Sequence, residues 1–391
     1  MAEMTSRERL LAAIRFQGPD RAPVSPRMWR YMLRHGGSQG HLAYLKYAGE
    51  FAVDPLLTAN AGPLIMYPQP RGDYSRLPPE IKVEERIEPG IDAEMVSRTI
   101  HTPAGTLTDR TRIPRPGQQF GIAPNNHIEE HLVKGPDDLP ALRAVVHAWS
   151  AGNPGVDIPA LAAEVGERGL VAANTHSALS HNAGDVYPLE SMMIDSFERR
   201  PFVEELIDVF HREVLAATKA ALERGLVMVY CSTFFESMSS GWSPQLYREL
   251  FLPRIRTHVE LTHSYGALYH LYDDGKVAPT LPMMREIGVD LVSTLCPPPA
   301  GDVTLEGARK AAGHRMCLNG GIDTVNTVWR GTPESINSAV HAAITAAHGP
   351  DGGYIVGTSD SIVEETPPEN FRAFFEAARR HGAERQVSHE T

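Results

Sequence analysis

Several short apolar runs of this chain end in polar side chains that could bind a ligand or move a proton. The candidates for proton transfer are Glu236, His270, Asp273 and Asp274, because carboxylates and imidazoles are the usual general acids and bases. Candidates for holding a ligand or cofactor at similar positions are Asn174, His176, Tyr272, Asn319, Asp323 and Ser359. Residues at the C-terminal ends of barrel strands meet at one mouth. The side chains that we therefore expect to line a single cavity are Asn174, Glu236, His270, Asp274, Asn319 and Ser359.

A structural role is open to each of these residues as well. Asp and Asn at strand ends often cap the following helix. Capping and loop shaping explain Asn319 and Asp323, which flank Gly320 and Gly321, more simply than catalysis does. A lone histidine such as His176 is also more often a hydrogen-bonded structural residue than a functional one.

The elements that must position these residues alternate regularly after residue 136. Six apolar runs predict strands, and they cover residues 170–174, 227–231, 267–270, 291–295, 316–318 and 354–356. Helical segments lie between them, most clearly at 201–224. Strands that alternate with helices predict a parallel sheet, and no early strand is followed by GxGxxG. The predicted fold class is therefore α/β, a single (β/α)8 TIM-type barrel whose other two strands come from the N-terminal half.

The N-terminal third is predicted to elaborate this barrel. Residues 5–16 have the spacing of an amphipathic helix, and 22–24 begin a strand. Residues 26–135 are rich in Pro and Gly and read as irregular, except for a β-hairpin over 95–101 and 106–113. We expect one domain over 1–391, in which 26–135 decorates the barrel mouth.

Composition narrows the classes of function. The chain has 391 residues, 42% of them hydrophobic, and a formal net charge of −11, which argues against non-specific nucleic-acid binding. Three scattered cysteines form no CxxC pair and favour a reducing compartment. The sequence shows neither an apolar signal region nor a run of membrane-spanning length. We expect a cytoplasmic protein with a small-molecule substrate, and a homodimer is compatible with the sequence.

Several segments together resemble one known superfamily. They are 5–13 with 19–24 near the N-terminus, 242–247 running to Leu252 and Pro253 in the centre, and 288–290, 301–302, 320–323 and 366–370 in the C-terminal half. Their order and spacing are similar to those of the uroporphyrinogen decarboxylase superfamily, over nearly the whole chain. The resemblance implies a single β/α barrel with its active site at the C-terminal mouth. It also implies one of two chemistries, porphyrinogen decarboxylation or corrinoid-dependent methyl transfer.

The decarboxylase alternative meets three departures from the superfamily pattern. An arginine segment that reads R-Q-A-G-R-Y in the decarboxylases has Pro26 in its first position here, although Arg30 and Tyr31 match. The FSDI segment is not recognisable around Asp54, and the late LGHG segment reads Gly-Thr-Ser-Asp at 357–360. We therefore expect uroporphyrinogen to be a very poor substrate.

The thiol-directed methyltransferases of the superfamily hold zinc with an H-x-C motif and a later cysteine. Counting from His270 puts Tyr272 at the first cysteine position, and aligning on Gly275 puts Tyr272 and Asp274 at the two ligand positions. The later cysteine position falls in 358–361, which has no sulfur, with Ser359 there instead. These departures argue against a zinc site. A variant site built from His270, Glu236 and Asp273 or Asp274 is the alternative.

Tetrahydrofolate is the acceptor that the remaining residues favour. Carboxylates and amides pair with the N–H groups of a pterin, and an acid near the reacting nitrogen could tune its protonation. No corrinoid-binding D-x-H-x-x-G segment is present, so we expect a methyl-corrinoid on a separate carrier protein. A local patch of Arg27, Arg30 and Arg34 could meet that carrier. A ligand-binding barrel that lost its catalysis is the alternative from another class.

Overall fold

Eleven strands and fourteen α-helices appear in the computed structural model, which describes residues 3–37, 40–63, 65–115 and 124–384. The strands are β1 Leu56–Asn60, β2 Lys82–Pro89, β3 Ala93–Thr102, β4 Gly105–Pro114, β5 His127–Glu130, β6 Leu170–Asn174, β7 Met228–Ser232, β8 Leu268–Tyr272, β9 Leu291–Leu295, β10 Cys317–Ile322 and β11 Tyr354–Thr358. The α-helices are α1 Ser6–Ile14, α2 Trp29–Gly36, α3 His41–Phe51, α4 Leu139–Gly152, α5 Ile158–Val165, α6 Gly184–Val186, α7 Leu189–Glu198, α8 Arg200–Leu222, α9 Pro244–Leu246, α10 Leu252–Ser264, α11 Leu281–Ile287, α12 Leu305–Ala312, α13 Pro333–Ala347 and α14 Pro368–Glu384.

The chain divides into two compact units. The first contains residues 1–59, 157–174 and 221–391, and the second contains residues 60–156 and 175–220. The range 26–135, predicted to be an elaboration of the barrel mouth, is thus shared between the two units. The position of residues 26–135 at the barrel mouth stays a prediction.

A seven-stranded sheet in the order β1-β6-β7-β8-β9-β10-β11 carries the predicted strand ends. The strand pairs from β6 to β11 are parallel. The six strands predicted from apolar runs are all present, and two of them, β6 and β9, have the predicted bounds. Four of them, β7, β8, β9 and β11, are buried along their whole length, because a parallel sheet is covered on both faces.

The segment at Val24 lies along the outer edge of β11. The amide of Val356 donates to the Pro23 carbonyl at 2.8 Å, and the Ser25 amide donates to the Val356 carbonyl at 2.9 Å. On its other side, the Val24 carbonyl accepts from the Asp54 amide at 2.7 Å, just before β1. The predicted strand at 22–24 is therefore a single parallel bridge at Val24, since the prolines on either side of it lack the amide that a longer ladder needs.

Asp54 joins this segment to α1. Its carboxylate accepts from Arg9 Nη1 at 2.6 Å, from Arg21 Nη1 at 2.7 Å and from the Val24 amide at 2.9 Å. The Asp54 side chain is completely buried, so these partners offset the cost of removing its charge from water. Its role in the structure is to anchor the N-terminal segment.

Helix α1 packs on the core of the first unit, as its amphipathic spacing predicts. The Thr5 hydroxyl accepts from the Glu8 amide at 3.1 Å, and the Glu8 carboxylate accepts from the Thr5 amide at 2.9 Å, which is a capping box. Core residues contributed by α1 and the strands include Leu10, Ala13, Ile14, Leu170, Ala172, Met228, Leu268, Leu291, Cys317 and Ile355.

An antiparallel sheet of four strands, in the order β2-β3-β4-β5, dominates the second unit. Its central pair confirms the predicted hairpin, with Thr102 opposite Gly105 at the turn. Arg98 of β3 and Asp109 of β4 form a buried ion pair, with Arg98 Nε donating at 2.9 Å. Residues 26–135, predicted to be irregular, thus hold α2, α3, β1 and this sheet. Within the described ranges, the helices are all too short or too polar to cross a bilayer.

Candidate active site

The C-terminal ends of the sheet strands position most of the predicted site residues. His270 and Tyr272 lie in β8, and Asp273 and Asp274 follow it directly. Asn319 lies inside β10 and is buried. The others are placed at or just beyond strand ends, with Asn174 ending β6, Glu236 following β7, Asp323 following β10 and Ser359 following β11.

A pocket of about 190 Å³ lies in the first unit, and it contains two of the predicted residues. Its lining residues are Ser25, Pro26, Arg27, Met28, Trp29, His41, Tyr44, Leu56, Leu57, Thr58, Tyr230, His270, Ser293 and Asn319. Of the six side chains expected to share one cavity, His270 and Asn319 line this pocket, whereas Asn174, Glu236, Asp274 and Ser359 are not among its lining residues. The prediction of a single cavity for all six stays a prediction.

His270 is a neutral imidazole in the pocket wall. Its Nε2 lies 2.8 Å from Ser293 Oγ, and its Nδ1 has no hydrogen-bond partner among the described residues. Burial, and after it the positive charge of Arg27, lowers the pKa of His270 from 6.5 to about 3. At neutral pH this ring therefore offers one donor and one acceptor nitrogen and carries no charge.

Arg27 places a cation beside the C-terminal end of β8. Its Cζ lies 4.3 Å from the ring centroid of Tyr272, which is the geometry of a cation–π contact. Burial opposes the charge, but the phenols of Tyr230 and Tyr272 and the carboxylates nearby raise the pKa of Arg27 above its ordinary value. The side chain is half-buried and stays protonated.

Tyr272 and Asp274 form a hydrogen-bonded pair. The Tyr272 hydroxyl donates to Asp274 Oδ2 at 2.9 Å. Burial raises the pKa of Asp274, the Tyr272 hydrogen bond opposes that rise, and the negative charge of Asp360 adds to it. The carboxyl of Asp274 is thus closer to neutral pH in its titration than an exposed aspartate is, which suits a group that takes up or gives a proton.

Asp273 is an acid kept away from water. Its side chain is 1% exposed, and neither carboxyl oxygen makes a hydrogen bond of normal geometry to the described residues. Burial, followed by the charges of Asp274 and Glu236, raises its pKa well above the ordinary value. Glu236 is buried as well. This arrangement favours the protonated form of Asp273.

Asn319, Asp323 and Ser359 have the structural roles available to strand-end residues. Asp323 Oδ1 accepts from the amides of Val325 and Asn326, both at 2.8 Å, and so caps the turn that follows. Ser359 Oγ accepts from the Thr324 amide at 3.2 Å. The capping interpretation of Asp323 is confirmed.

The amide of Asn319 holds the N-terminal segment against the sheet. Its Nδ2 donates to the Ser25 carbonyl at 3.1 Å. A Cβ at Gly357 would stand 2.5 Å from that same nitrogen, so glycine is required on the neighbouring strand. Asn319 thereby fixes the segment from which Arg27 projects.

His176 lies in the second unit. It is buried, has a φ of 38°, which is uncommon for a residue other than glycine, and its ring centroid is 5.5 Å from that of His181. Asn174, at the end of β6, is half-buried in the first unit.

The pocket contains residues that the sequence patterns do not assign to it. Ser25, Trp29, Tyr44, Tyr230 and Ser293 belong to this group, and the sequence places Arg27 only in a docking patch. Of the other two patch residues, Arg30 makes an ion pair with Glu364 at 3.4 Å and Arg34 is exposed.

The donor set does not fit zinc in the manner of the thiol-directed methyltransferases. Tyr272 falls at a ligand position in both alignments of the H-x-C motif and Asp274 in one of them, and these two side chains bond to each other. In the described ranges, no three His, Cys, Asp or Glu side chains are grouped so that they could hold a metal ion. All three cysteines, Cys231, Cys296 and Cys317, are buried as free thiols, and burial raises the pKa of each.

Comparisons with known proteins agree with this architecture. The chain is 32% identical over 148 residues to the uroporphyrinogen decarboxylase of Trichodesmium erythraeum, covering 37% of this chain and 39% of that protein. It is 28% identical over 141 residues to the methylated-thiol–coenzyme M methyltransferase of Methanosarcina mazei, covering 36% of this chain and 35% of that one. In both cases the match spans well under half of the relative's length.

The fold is shared with a solved structure along nearly the whole chain. A methyltransferase from Methanosarcina mazei superposes with a TM-score of 0.62 over 97% of this chain and 99% of that one, at 15% sequence identity. The family model for uroporphyrinogen decarboxylase (URO-D) matches residues 184–381, which is half of the sequence. The chain belongs to the uroporphyrinogen decarboxylase family.

Proposed function

We propose that this protein is a methyltransferase of the uroporphyrinogen decarboxylase family that moves a methyl group between a methyl-corrinoid on a separate carrier protein and tetrahydrofolate. Its place would be in the demethylation of small methylated compounds. The support from relatives is the match to a methyltransferase both in sequence and in fold. The single observation that carries the choice of acceptor is the Tyr272–Asp274 hydrogen bond, because aligning on Gly275 puts these two residues at the zinc-ligand positions of the thiol-directed branch.

The proposal assigns the proton chemistry to the acids after β8. Methylation of a secondary amine nitrogen forms an N–C bond, leaves the electron pair of the broken bond on the methyl donor, and releases the proton of that nitrogen. Asp274, whose pKa is raised, is the group proposed to take that proton, and it would return it in the reverse direction. Asp273 and Glu236 would be further acid groups near Asp274. His270 and Asn319, which line the pocket, would hold the pterin ring.

We also propose that the sheet closes into the eight-stranded barrel of the family. The Val24 segment is the eighth strand in this proposal, because it is hydrogen-bonded to β11 on one side and to Asp54, next to β1, on the other. The strand ends and the pocket residues would then surround one mouth.

Decarboxylation is the second candidate, and several relatives favour it. Decarboxylases from Trichodesmium, Crocosphaera and Chlorobium match the chain at 26–32% identity. Against it, Pro26 stands where the decarboxylases have their first substrate-binding arginine. In addition, a pocket of about 190 Å³ is smaller than the roughly 300–1,000 Å³ of pockets for drug-sized ligands, so it would hold the pterin ring of a folate but not a whole tetrapyrrole.

The test is a pair of methyl-transfer assays with the purified full chain. Free methylcobalamin is mixed with tetrahydrofolate in one and with a thiol in the other, and loss of the methyl–cobalt absorbance is followed. We expect loss with tetrahydrofolate. Loss with the thiol alone would reject the folate proposal. Loss with neither, together with formation of coproporphyrinogen from uroporphyrinogen at about one per second or faster, would establish the decarboxylase instead.

A further inference from the structure

The guanidinium of Arg27 makes no direct ion pair with the described residues, although Asp360 and Asp274 are near enough for their charges to act on it. Its backbone is fixed, because its carbonyl accepts from the Ile362 amide at 2.8 Å. In the part of the chain that the structure describes, no carboxylate oxygen lies within 4.0 Å of its nitrogens and no side-chain hydrogen bond uses them. The guanidinium lies instead over the face of Tyr272, at 4.3 Å from the ring centroid.

A half-buried cation of this kind leaves hydrogen-bonding capacity unused. A guanidinium carries five N–H donors, and the face of an aromatic ring satisfies none of them geometrically. Burial of an unpaired charge is costly unless a partner of opposite charge arrives. The pocket that Arg27 lines is therefore electrostatically prepared for an anion.

A second polar group in the same pocket also lacks a partner. His270 is 4% exposed, and its Nδ1 makes no hydrogen bond to the described residues, while its Nε2 meets Ser293. Ring and aliphatic side chains, among them Trp29, Tyr44 and Leu57, form much of the remaining wall. The pocket thus combines one cation, one spare imidazole nitrogen and a largely apolar surround.

Arg27 lies against Tyr272, a residue that aligns with a zinc-ligand position of the thiol-directed methyltransferases. Tyr272 and Asp274 satisfy each other at 2.9 Å and do not fit a metal. The positive charge that lies against Tyr272 is Arg27, from a position that the family's own arginine pattern does not use. We propose that Arg27 supplies the fixed positive charge of this site and binds the carboxylate of an organic acid, bidentately, with the rest of the acid packed on the apolar wall.

This inference rests on the proposed function only in treating the pocket as a substrate pocket. The carboxylate could belong to a small aromatic or aliphatic acid, or to the glutamate tail of a folate. Both sources present the same group to Arg27, so the experiment includes a probe for each.

The experiment is a ligand-observed NMR titration of the full chain with benzoate, its neutral isostere benzamide, and p-aminobenzoylglutamate. The variants are Arg27→Met, Arg27→Lys and, as the matched control, Arg34→Met, which removes an exposed arginine of α2. We expect millimolar or tighter binding of at least one acid, with benzamide bound roughly tenfold or more weakly. Arg27→Met should lose the preference for the acid, Arg27→Lys should keep part of it, and Arg34→Met should behave as the unchanged protein.

Each outcome decides the question. Equal binding of benzoate and benzamide, retention of acid binding by Arg27→Met, or binding of neither acid at millimolar concentration would overturn the proposal. Binding of benzoate alone assigns the site to a small acid, and binding of p-aminobenzoylglutamate alone assigns it to a folate tail. Arg27→Lys keeps the positive charge, so it still tests the proposal if Arg27→Met fails to fold. Because the titration contains no cobalamin, a chain that binds acids through Arg27 but transfers no methyl group would keep this inference and lose the proposed function.

Discussion

Asp274 is the residue whose loss should affect methyl transfer most directly. It follows β8, its pKa is raised by burial, and it accepts the Tyr272 hydroxyl. If tetrahydrofolate is the acceptor, Asp274→Ala should lower the rate of methyl transfer by roughly a hundredfold or more, the scale of removing a positioned acid or base. The matched control is Asp351→Ala at an exposed position. A rate for Asp274→Ala equal to that of the control would clear Asp274 of a catalytic role.

His270 should make the protein's stability fall in mild acid. Its pKa is lowered from 6.5 to about 3, so below pH 6.5 the unfolded chain takes up a proton that the folded chain refuses. This contribution to stability is complete above pH 6.5 and is lost as pH falls towards 3, at about 1.4 kcal/mol per pH unit. Urea unfolding at pH 7 and pH 5 should therefore show a smaller loss for His270→Asn than for the unchanged chain, by up to about 2 kcal/mol.

His263 provides a control of opposite sign for that measurement. Its hydrogen bond to Asp290 raises its pKa, so its contribution is present at low pH and is lost as pH rises. His263→Asn should make the loss between pH 7 and pH 5 larger instead of smaller. Identical pH dependence in both variants would contradict the assignment of the acid sensitivity to His270.

Asp273 should show a conflict between stability and activity. Its carboxyl has no partner of normal geometry among the described residues, and its pKa is raised well above the ordinary value. A group with a raised carboxyl pKa favours the folded state at low pH and weakens it as pH rises. Asp273→Asn should therefore raise the free energy of unfolding at pH 7 by about 1 kcal/mol or more while lowering methyl transfer. A destabilised variant at pH 7 would contradict this.

The sequence predicted which residues lie at this site, but not which side chains they contact. Four of the predicted residues lie at or just after the end of β8, as expected, because the end of an apolar run marks the end of a buried strand. They are His270, Tyr272, Asp273 and Asp274. The hydrogen bond between Tyr272 and Asp274 and the place of Arg27 above that ring depend on where the N-terminal segment docks. Docking across the whole chain leaves no periodic signal in the sequence, so the sequence alone assigns Arg27 to the surface instead.

At the scale of elements, buried parallel strands were the most predictable feature. Continuous apolar runs of five residues, such as Leu170–Asn174 and Leu291–Leu295, are too short for buried helices and lie between helical segments, so they favour strands. The helices α2 and α3 and the strand β1 were missed, because the Pro and Gly around them read as loop. The bridge at Val24 could not be recognised as an element by periodicity, since a single pairing has no period.

The N-terminal segment should depend on one buried ion cluster. Asp54 binds Arg9, Arg21 and the Val24 amide with its two carboxylate oxygens. Asp54→Ala leaves Arg9 buried without that partner and should cost about 3–5 kcal/mol of unfolding free energy in a urea titration. The control is Glu286→Ala, which breaks ion pairs to Arg248 and Arg256 that are exposed to solvent and should therefore change the unfolding free energy far less. Similar losses in the two variants would show that the cluster is not the anchor.

At the scale of the whole molecule, we predict that the purified protein carries no stoichiometric zinc. The reason is the absence of thiolate at Tyr272 and Ser359, where the thiol-directed branch has its ligands. Elemental analysis should find well below one zinc per chain, and the thermal midpoint should not change on chelation. About one tightly held zinc, removed together with activity by a chelator, would contradict the prediction and favour the variant site.

The bond from Asn319 to the Ser25 carbonyl joins residues 294 positions apart in the chain. Arg27 is synthesised before β10 and β11, so the pocket cannot form until β10 has been made. Until β10 and β11 have been made, the carbonyl and the amide of Ser25 lack their partners Asn319 and Val356, and closure over so long a loop is slow. Chains that stop before β11 would thus expose the unpaired edge of β10, which favours aggregation and proteolysis.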